Sequence, residues 1–186
     1  MPKENSVLMS IRTGYCVDIA SGKKTLEIRK NMPLLKTPFK VYIYCTSVKY
    51  LSIKDYVSLH QATGGRIDDW SGKVFSSFTC YHISEHWGGD YESLSKFGAI
   101  TAERLGAYAR GNTLYAWHIV NVNVFDNPLP LDRFWCRGFL QRPPQSWCYV
   151  DDWVLTLKDV MQGFFCCSML VSSSLNVTLS ISLTAN

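Results

Sequence analysis

A mixed α/β, strand-rich fold closing as a small barrel or curled sheet is what this sequence predicts, and three observations carry that prediction. Five or six runs of β-branched and aromatic residues recur at irregular spacing, each bounded by turn residues. Two or three short stretches have helical character, without the strand–helix–strand rhythm of a parallel sheet. Aromatic residues make up 13% of the 186-residue chain and charged residues 18%, below the usual quarter, as suits an aromatic-rich core. With 47% apolar residues the chain is not of the disordered class, and its length suits one domain, or one domain plus an appendage.

The elements follow in order. Val7–Ile11 is an apolar strand, and Tyr15–Ala20 a helix-like stretch behind it. Gly22-Lys23-Lys24 makes a cationic turn into a short strand, Thr25–Lys30. Val41–Thr46 is a β-branched and aromatic strand. Ser47–His60 fits either a strand or a helix, while Thr63-Gly64-Gly65 and Asp68-Asp69 mark a loop. Gly72 restarts a long strand that runs to Ile83, and Trp87-Gly88-Gly89-Asp90 breaks it. Residues 100–110 predict a short helix with Thr101 as N-cap, Leu105 and Tyr108 on one face, and Gly111 as the stop. Thr113–Phe125 is the longest strand signal, alternating from Ile119 to Val124. Two proline-rich loops precede a closing strand, Gln145–Val150.

Composition changes after Asp159. The last 27 residues carry no charge, and the apolar run 160–171 is well short of the roughly 20 residues that span a bilayer. Odd positions from Leu175 to Leu183 are apolar and even ones polar. Two readings stay open: an added edge strand, or sequence with no selected fold, such as read-through past a normal stop. We expect a domain over 1–151, with 152–186 an atypical tail outside it.

Charge is unevenly spread. Residues 1–60 hold ten Lys/Arg against four Asp/Glu, a balance of +6, whereas residues 61–186 stand at −2. One basic end favours a phosphate-bearing partner. Seven cysteines, an odd number without a C-x-x-C pair, mostly sit in apolar runs and read as buried free thiols of a reducing compartment. The polar N-terminus has no apolar signal-peptide core, so the expected location is cytoplasmic, with no membrane partner.

Five of the nine residues from Gly22 to Lys30 are charged. Extended geometry puts Thr25, Glu27 and Arg29 on one face and Lys24, Leu26 and Ile28 on the other. Leu26 and Ile28 need a core, so the Glu27/Arg29 face lines either solvent or a groove. If a groove, Lys24 twisted by the glycine turn joins Arg29 in clamping a phosphate, and Glu27 receives a donor from a base or orients Arg29. If solvent, the pair is a surface ion pair contributing under about 1 kcal/mol.

With these residues laid out, the chain resembles an ASCH domain of the PUA-like superfamily. The signature is G-x-K-x-x-E-x-R after a strand–helix pair, here Gly22, Lys24, Glu27 and Arg29. Met9–Arg12, Pro38–Thr46, Gly72–Val74, Tyr115–Ile119 and Trp147–Val150 support it in order and spacing over roughly residues 5–150. The resemblance implies a small PUA-like β-barrel with a cleft, of a kind found in bacterial and phage proteins. RNA or a nucleotide-like ligand is then the expected partner. The implied ligand-binding set is Lys23, Lys24, Glu27, Arg29, Lys30, Thr46, Trp117 and Trp147, the two tryptophans as base-stacking surfaces.

The leading expectation is therefore an RNA- or modified-nucleotide-binding module. The alternative is a small amidohydrolase acting on an acylated nucleoside such as N4-acetylcytidine, as some compact relatives of this kind are. In those relatives the lysine matching Lys24 activates a threonine, but the threonine's position here holds Glu27. Catalysis would instead have Glu27 activating water, with Lys24 or Arg29 stabilising the oxyanion. A protein-interaction adaptor is a third reading. No cofactor is expected, since no P-loop, dinucleotide fingerprint or G-x-S-x-G elbow occurs. No metal is expected either: His82 and His86 with Cys80 lie on a strand entering a loop, with no cysteine knuckle to complete a ligand set.

Overall fold

The computed structural model describes residues 6–87, 89, 91–134 and 140–151. The expectation that 152–186 stands apart, and the cysteines at 136, 166 and 167, lie outside these residues. Six strands form one sheet: β1 (Ser6–Ile11), β2 (Leu26–Arg29), β3 (Phe39–Cys45), β4 (Val74–His86), β5 (Leu114–Leu129) and β6 (Trp147–Val150), in the order β2-β5-β4-β3-β1-β6. Only the β1–β3 pairing is parallel. β4 and β5 are long, and their register shifts three times along the ladder, with Asn121 at φ 52° in β5. Bulges of this kind bend a strand and deepen its twist, so the sheet curls into a half-barrel.

Curling brings the two edge strands together without pairing their backbones. Side chains close that seam instead. Arg29 Nη2 donates to the Ser10 carbonyl at 2.8 Å and Nη1 to Ser146 Oγ at 3.2 Å. Trp147 Nε1 donates to Asn31 Oδ1 at 2.9 Å, and the Leu34 N–H donates to Tyr149 Oη at 2.8 Å.

The period-2 pattern sorts each strand between cores. In β1, Val7, Met9 and Ile11 enter the main core with Val41, Ile43, Phe75, Phe78 and Trp117, whereas Leu8 joins Tyr42, Val74, Phe134 and Val150 on the opposite face. Both faces of β1 are thus covered, which explains its consecutive apolar residues Val7-Leu8-Met9.

Among the described residues five α-helices surround the sheet, more than the two or three expected: α1 (Thr13–Ala20), α2 (Ile53–Ala62), α3 (Arg66–Trp70), α4 (Glu92–Gly98) and α5 (Ala102–Ala109). α2 resolves the ambiguity over 47–60. Ser52 caps it, receiving the Asp55 N–H at 3.2 Å and donating to Asp55 Oδ2 at 2.7 Å. Asp68 and Asp69 are helical, a correction to the expected loop; they occupy the first turn of α3, where carboxylates suit the helix dipole. Gly64 and Gly65, at φ 58° and 86°, make the turn between α2 and α3. α5 begins as expected, with Thr101 Oγ1 accepting the Arg104 N–H. α4 and α5 cover Leu26, Ile28, Leu114 and Ala116 through Leu94, Leu105 and Ala109. Cys16, Cys45 and Cys80 are buried free thiols, and Cys148 is half-buried. No helix of the described residues is long and apolar enough to cross a membrane.

Candidate ligand cleft

The second core fixes how the charged strand points. Leu26 and Ile28 turn outward under α4 and α5, so Glu27 and Arg29 turn to the face they share with Trp117, which lies opposite Glu27 on β5. That face opens into a cleft of about 660 Å³, within the usual range for small-ligand sites. Its walls come from the β1–α1 junction, β2, α5 and residues 145–146.

Three charged side chains form its inner layer. Lys24 is 3% exposed; its ammonium donates to the Gly98 carbonyl, lies 3.3 Å from Glu27 Oε2, and stands 4.9 Å from the centre of the Tyr15 ring. Glu27 Oε1 forms an ion pair with Arg29 Nη2 at 2.9 Å. The Lys24–Glu27 contact is an ion pair without hydrogen-bond geometry, because Oε2 has no hydrogen-bond donor among the described residues. The Arg29 Nε–H is likewise without an acceptor there. This is no surface ion pair, since the Glu27 and Arg29 side chains are only 9% and 11% exposed. Thr46 also lines the cleft, its N–H bound to the Ile11 carbonyl and its own carbonyl receiving Thr13 Oγ1 at 2.8 Å.

The outer layer was not singled out by the sequence. Arg12 and Arg104 line the cleft from the end of β1 and from α5; both are exposed, and neither guanidinium has an ion-pair or hydrogen-bond partner among the described residues. Tyr15 and Tyr108 add aromatic walls. Burial pushes the Tyr108 phenol above its ordinary pKa; the Glu27 carboxylate adds to this, and the Arg29 guanidinium opposes it. The lining thus holds four cations (Arg12, Lys24, Arg29, Arg104) and one carboxylate.

The remaining residues of the expected set lie elsewhere. Lys23 points away, 72% exposed and paired with Asp18 at 3.4 Å. Lys30 lies over the Tyr108 ring at 4.9 Å, outside the lining. Trp117 has no exposed surface; it packs edge-on against Phe39 and beside Trp147 in the main core, so its ring has no face for a base. Trp147 is half-buried and tied to Asn31 in the barrel seam. Sequence periodicity placed both tryptophans on strands but could not tell interior from cleft. One signal for the outer layer was present: Arg104 and Tyr108 stand four apart on α5, hence on one helical face. Among the described residues no group of three His, Cys, Asp or Glu is placed to hold a metal ion.

No family model matches the sequence, and no curated protein does either. Solved structures do match. The crystal structure of ASCH from Zymomonas mobilis has a TM-score of 0.57 at 20% identity, over 86% of this chain and 96% of that one. A serine-to-alanine mutant of the same protein gives 0.60 at 18% identity, over 87% and 99%. A tyrosine-to-phenylalanine mutant gives 0.57 at 19%, over 84% and 97%. The chain therefore has the fold of ASCH proteins over most of its length.

Proposed function

We propose that the cleft binds RNA or a modified nucleotide, with phosphate held at its cationic rim and a base lying against Tyr15 or Tyr108. One observation carries this reading: two exposed guanidiniums without partners among the described residues, Arg12 and Arg104, stand at a cleft already rich in positive charge. Guanidinium forks match phosphate oxygens bidentately. Below them Lys24, Arg29 and Thr46 line the floor, and the cavity is large enough for a nucleotide. The stacking role expected of Trp117 and Trp147 passes to the two tyrosines, whose rings reach the cleft.

The test is a titration with uridine monophosphate and with single-stranded RNA at low and moderate salt. Arg12→Ala and Arg104→Ala should each weaken binding by about 1.5–3 kcal/mol, the value of a charged hydrogen bond. Each should also flatten the dependence of log K on log salt by about 0.7 for a single strand. Full binding by both variants, or no binding by the wild type at low salt, overturns the reading.

Hydrolysis of an acylated nucleoside is the second reading. It is favoured by Glu27 Oε2, which lies 3.3 Å from the Lys24 ammonium and has no hydrogen-bond donor among the described residues. Glu27 would take a proton from water attacking the acyl carbonyl and return it to the amine nitrogen as the C–N bond breaks, leaving the carboxylate as it began. It ranks second because that oxygen is closed off from solvent and must swing out to meet water. Cytidine release from N4-acetylcytidine, compared with Lys24→Ala, tests it; release at the same rate from the variant removes these roles.

A further inference from the structure

A ring cluster on β4 and β5 lies outside the cleft. At a register shift Cys80 faces Ile119 while His82 faces His118, which leaves Tyr81 as the extra residue of a bulge. Bulges re-aim side chains, and here three rings come together. His82 and His118 have centroids 5.1 Å apart, Tyr81 and His118 5.4 Å, and Tyr81 and His82 6.5 Å. Tyr81 is 50% exposed, His82 is exposed, and Trp87 beyond the end of β4 is 74% exposed. These rings are therefore not core.

They are nonetheless held in place. His118 Nδ1 is hydrogen-bonded to the Tyr81 hydroxyl at 3.3 Å and its Nε2 to Ser84 Oγ at 3.0 Å, while Ser84 Oγ also meets His86 Nε2 at 3.0 Å. Both nitrogens of the His118 ring are engaged, so the ring cannot turn over without losing both bonds. A neutral imidazole offers one donor and one acceptor, which fits a continuous chain of donation linking Tyr81, His118, Ser84 and His86 in either direction. Burial, then repulsion from His82 and His86, pushes the His118 pKa down, in keeping with that neutral form. Fixed, half-exposed rings lose little further freedom when a flat partner lies on them.

We propose that this face is a base-stacking platform for single-stranded nucleic acid, separate from the cleft, with Tyr81 as its main ring and His82 and His118 beside it. The proposal takes its partner class from the nucleic-acid reading of the cleft and rests on that reading. Stacking on aromatic side chains is sequence-tolerant, because every base has a π-face. With stacking rather than ion pairing as its contact, the platform contributes affinity with little salt dependence, unlike the arginine rim.

Binding of a fluorescein-labelled decauridylate to the full chain, followed by anisotropy across a salt series, tests this beside calorimetric titration with uridine monophosphate. Tyr81→Ala should weaken decauridylate binding about 5- to 150-fold, the range for losing one stacked base. The slope of log K against log salt and the affinity for uridine monophosphate should stay at wild-type values. Tyr81→Phe, which keeps the ring, should retain most of the affinity. Unchanged decauridylate binding in Tyr81→Ala, an equal loss for uridine monophosphate, or a Tyr81→Phe defect as large as that of alanine would each overturn the platform. Should Tyr81→Ala fold poorly by circular dichroism, His82→Ala takes its place with the same expectation. The two readings fail separately: if Arg104→Ala leaves uridine monophosphate binding intact while Tyr81→Ala still weakens the oligomer, the platform stands and the cleft assignment falls.

Discussion

Replacing Glu27 by glutamine tests whether the inner charges are an engaged, buried network. The substitution keeps shape and volume but removes the only carboxylate beside Lys24 and Arg29 in the cleft. With an effective dielectric constant of about 20, contacts at 3.3 Å and 2.9 Å correspond to about 5 and 6 kcal/mol of attraction before desolvation is counted. Desolvation cancels part of this, because the three side chains are only 3%, 9% and 11% exposed. Losing one partner leaves two cations buried without their counter-charge, a change that costs about 3–5 kcal/mol. For a chain of this size that is a fall in Tm of about 6–20 °C. Thermal melts by circular dichroism and urea titration read it directly. Buried pairs are weakly screened, so the deficit should persist in about 1 M salt. A loss under about 1 kcal/mol, or one erased by salt, would show that the network is solvated and would refute the reasoning.

Three further outcomes are expected. A methyl group at Gly98 would meet Ile28 Cδ1 at 2.7 Å, beside the carbonyl that receives Lys24. Gly98→Ala should therefore cost about 1–3 kcal/mol from overpacking, less a small gain from a stiffer unfolded chain, and adding Ile28→Val should recover part of it in urea titrations. His118 has a folded pKa below its unfolded value, so the unfolded chain binds more protons at mildly acid pH. Its stabilising contribution is complete above about pH 7 and declines as pH falls through about 6.5; His118→Gln should flatten that limb of a stability–pH curve, and an unaltered limb would refute the assignment. Burial pushes the Cys80 thiol up to about 12 and raises Cys16 well above its usual value. Iodoacetamide at about pH 8 should leave both unmodified in native protein and label both in urea, as mass spectrometry of the peptides would show.

Much of the fold was legible because strands announce themselves by period. Val7–Ile11 falls wholly in a strand, the expected strands Val41–Thr46, Gly72–Ile83 and Thr113–Phe125 fall in strands but for one or two terminal residues each (Thr46, Gly72 and Lys73, Thr113), and Thr101 capped its helix as its neighbours suggested. Two kinds of information were not available locally. α2 has only a weak amphipathic pattern, with Ile53 and Val57 exposed, so neither a helical nor a strand period stands out. The seam joins residues more than a hundred positions apart, as in Arg29 to Ser146 and Trp147 to Asn31, and only the curl of β4 and β5 brings them together. The same non-locality hid Arg104. Its place at the cleft depends on α5 packing over β2, a consequence of Leu105 meeting Leu26 and Ile28.

The inner motif also explains why the rim is the better place to look for specificity. Lys24 ties the turn before β2 to the end of α4, Arg29 ties β2 to Ser10 and Ser146 across the barrel seam, and Glu27 holds both cations. Each of these three side chains therefore has contacts committed to joining elements of the fold. A ligand that displaced those bonds would have to replace them at full desolvation cost. Arg12 and Arg104 carry no such commitment among the described residues, and Tyr15 and Tyr108 present rings beside them. On the proposed reading, substitutions at the rim should change ligand affinity at little cost in stability, whereas substitutions in the inner layer should change stability first. Comparing Arg104→Ala with Glu27→Gln in the same melts and titrations separates the two layers: the first should lose affinity at an unchanged Tm, the second should lose Tm.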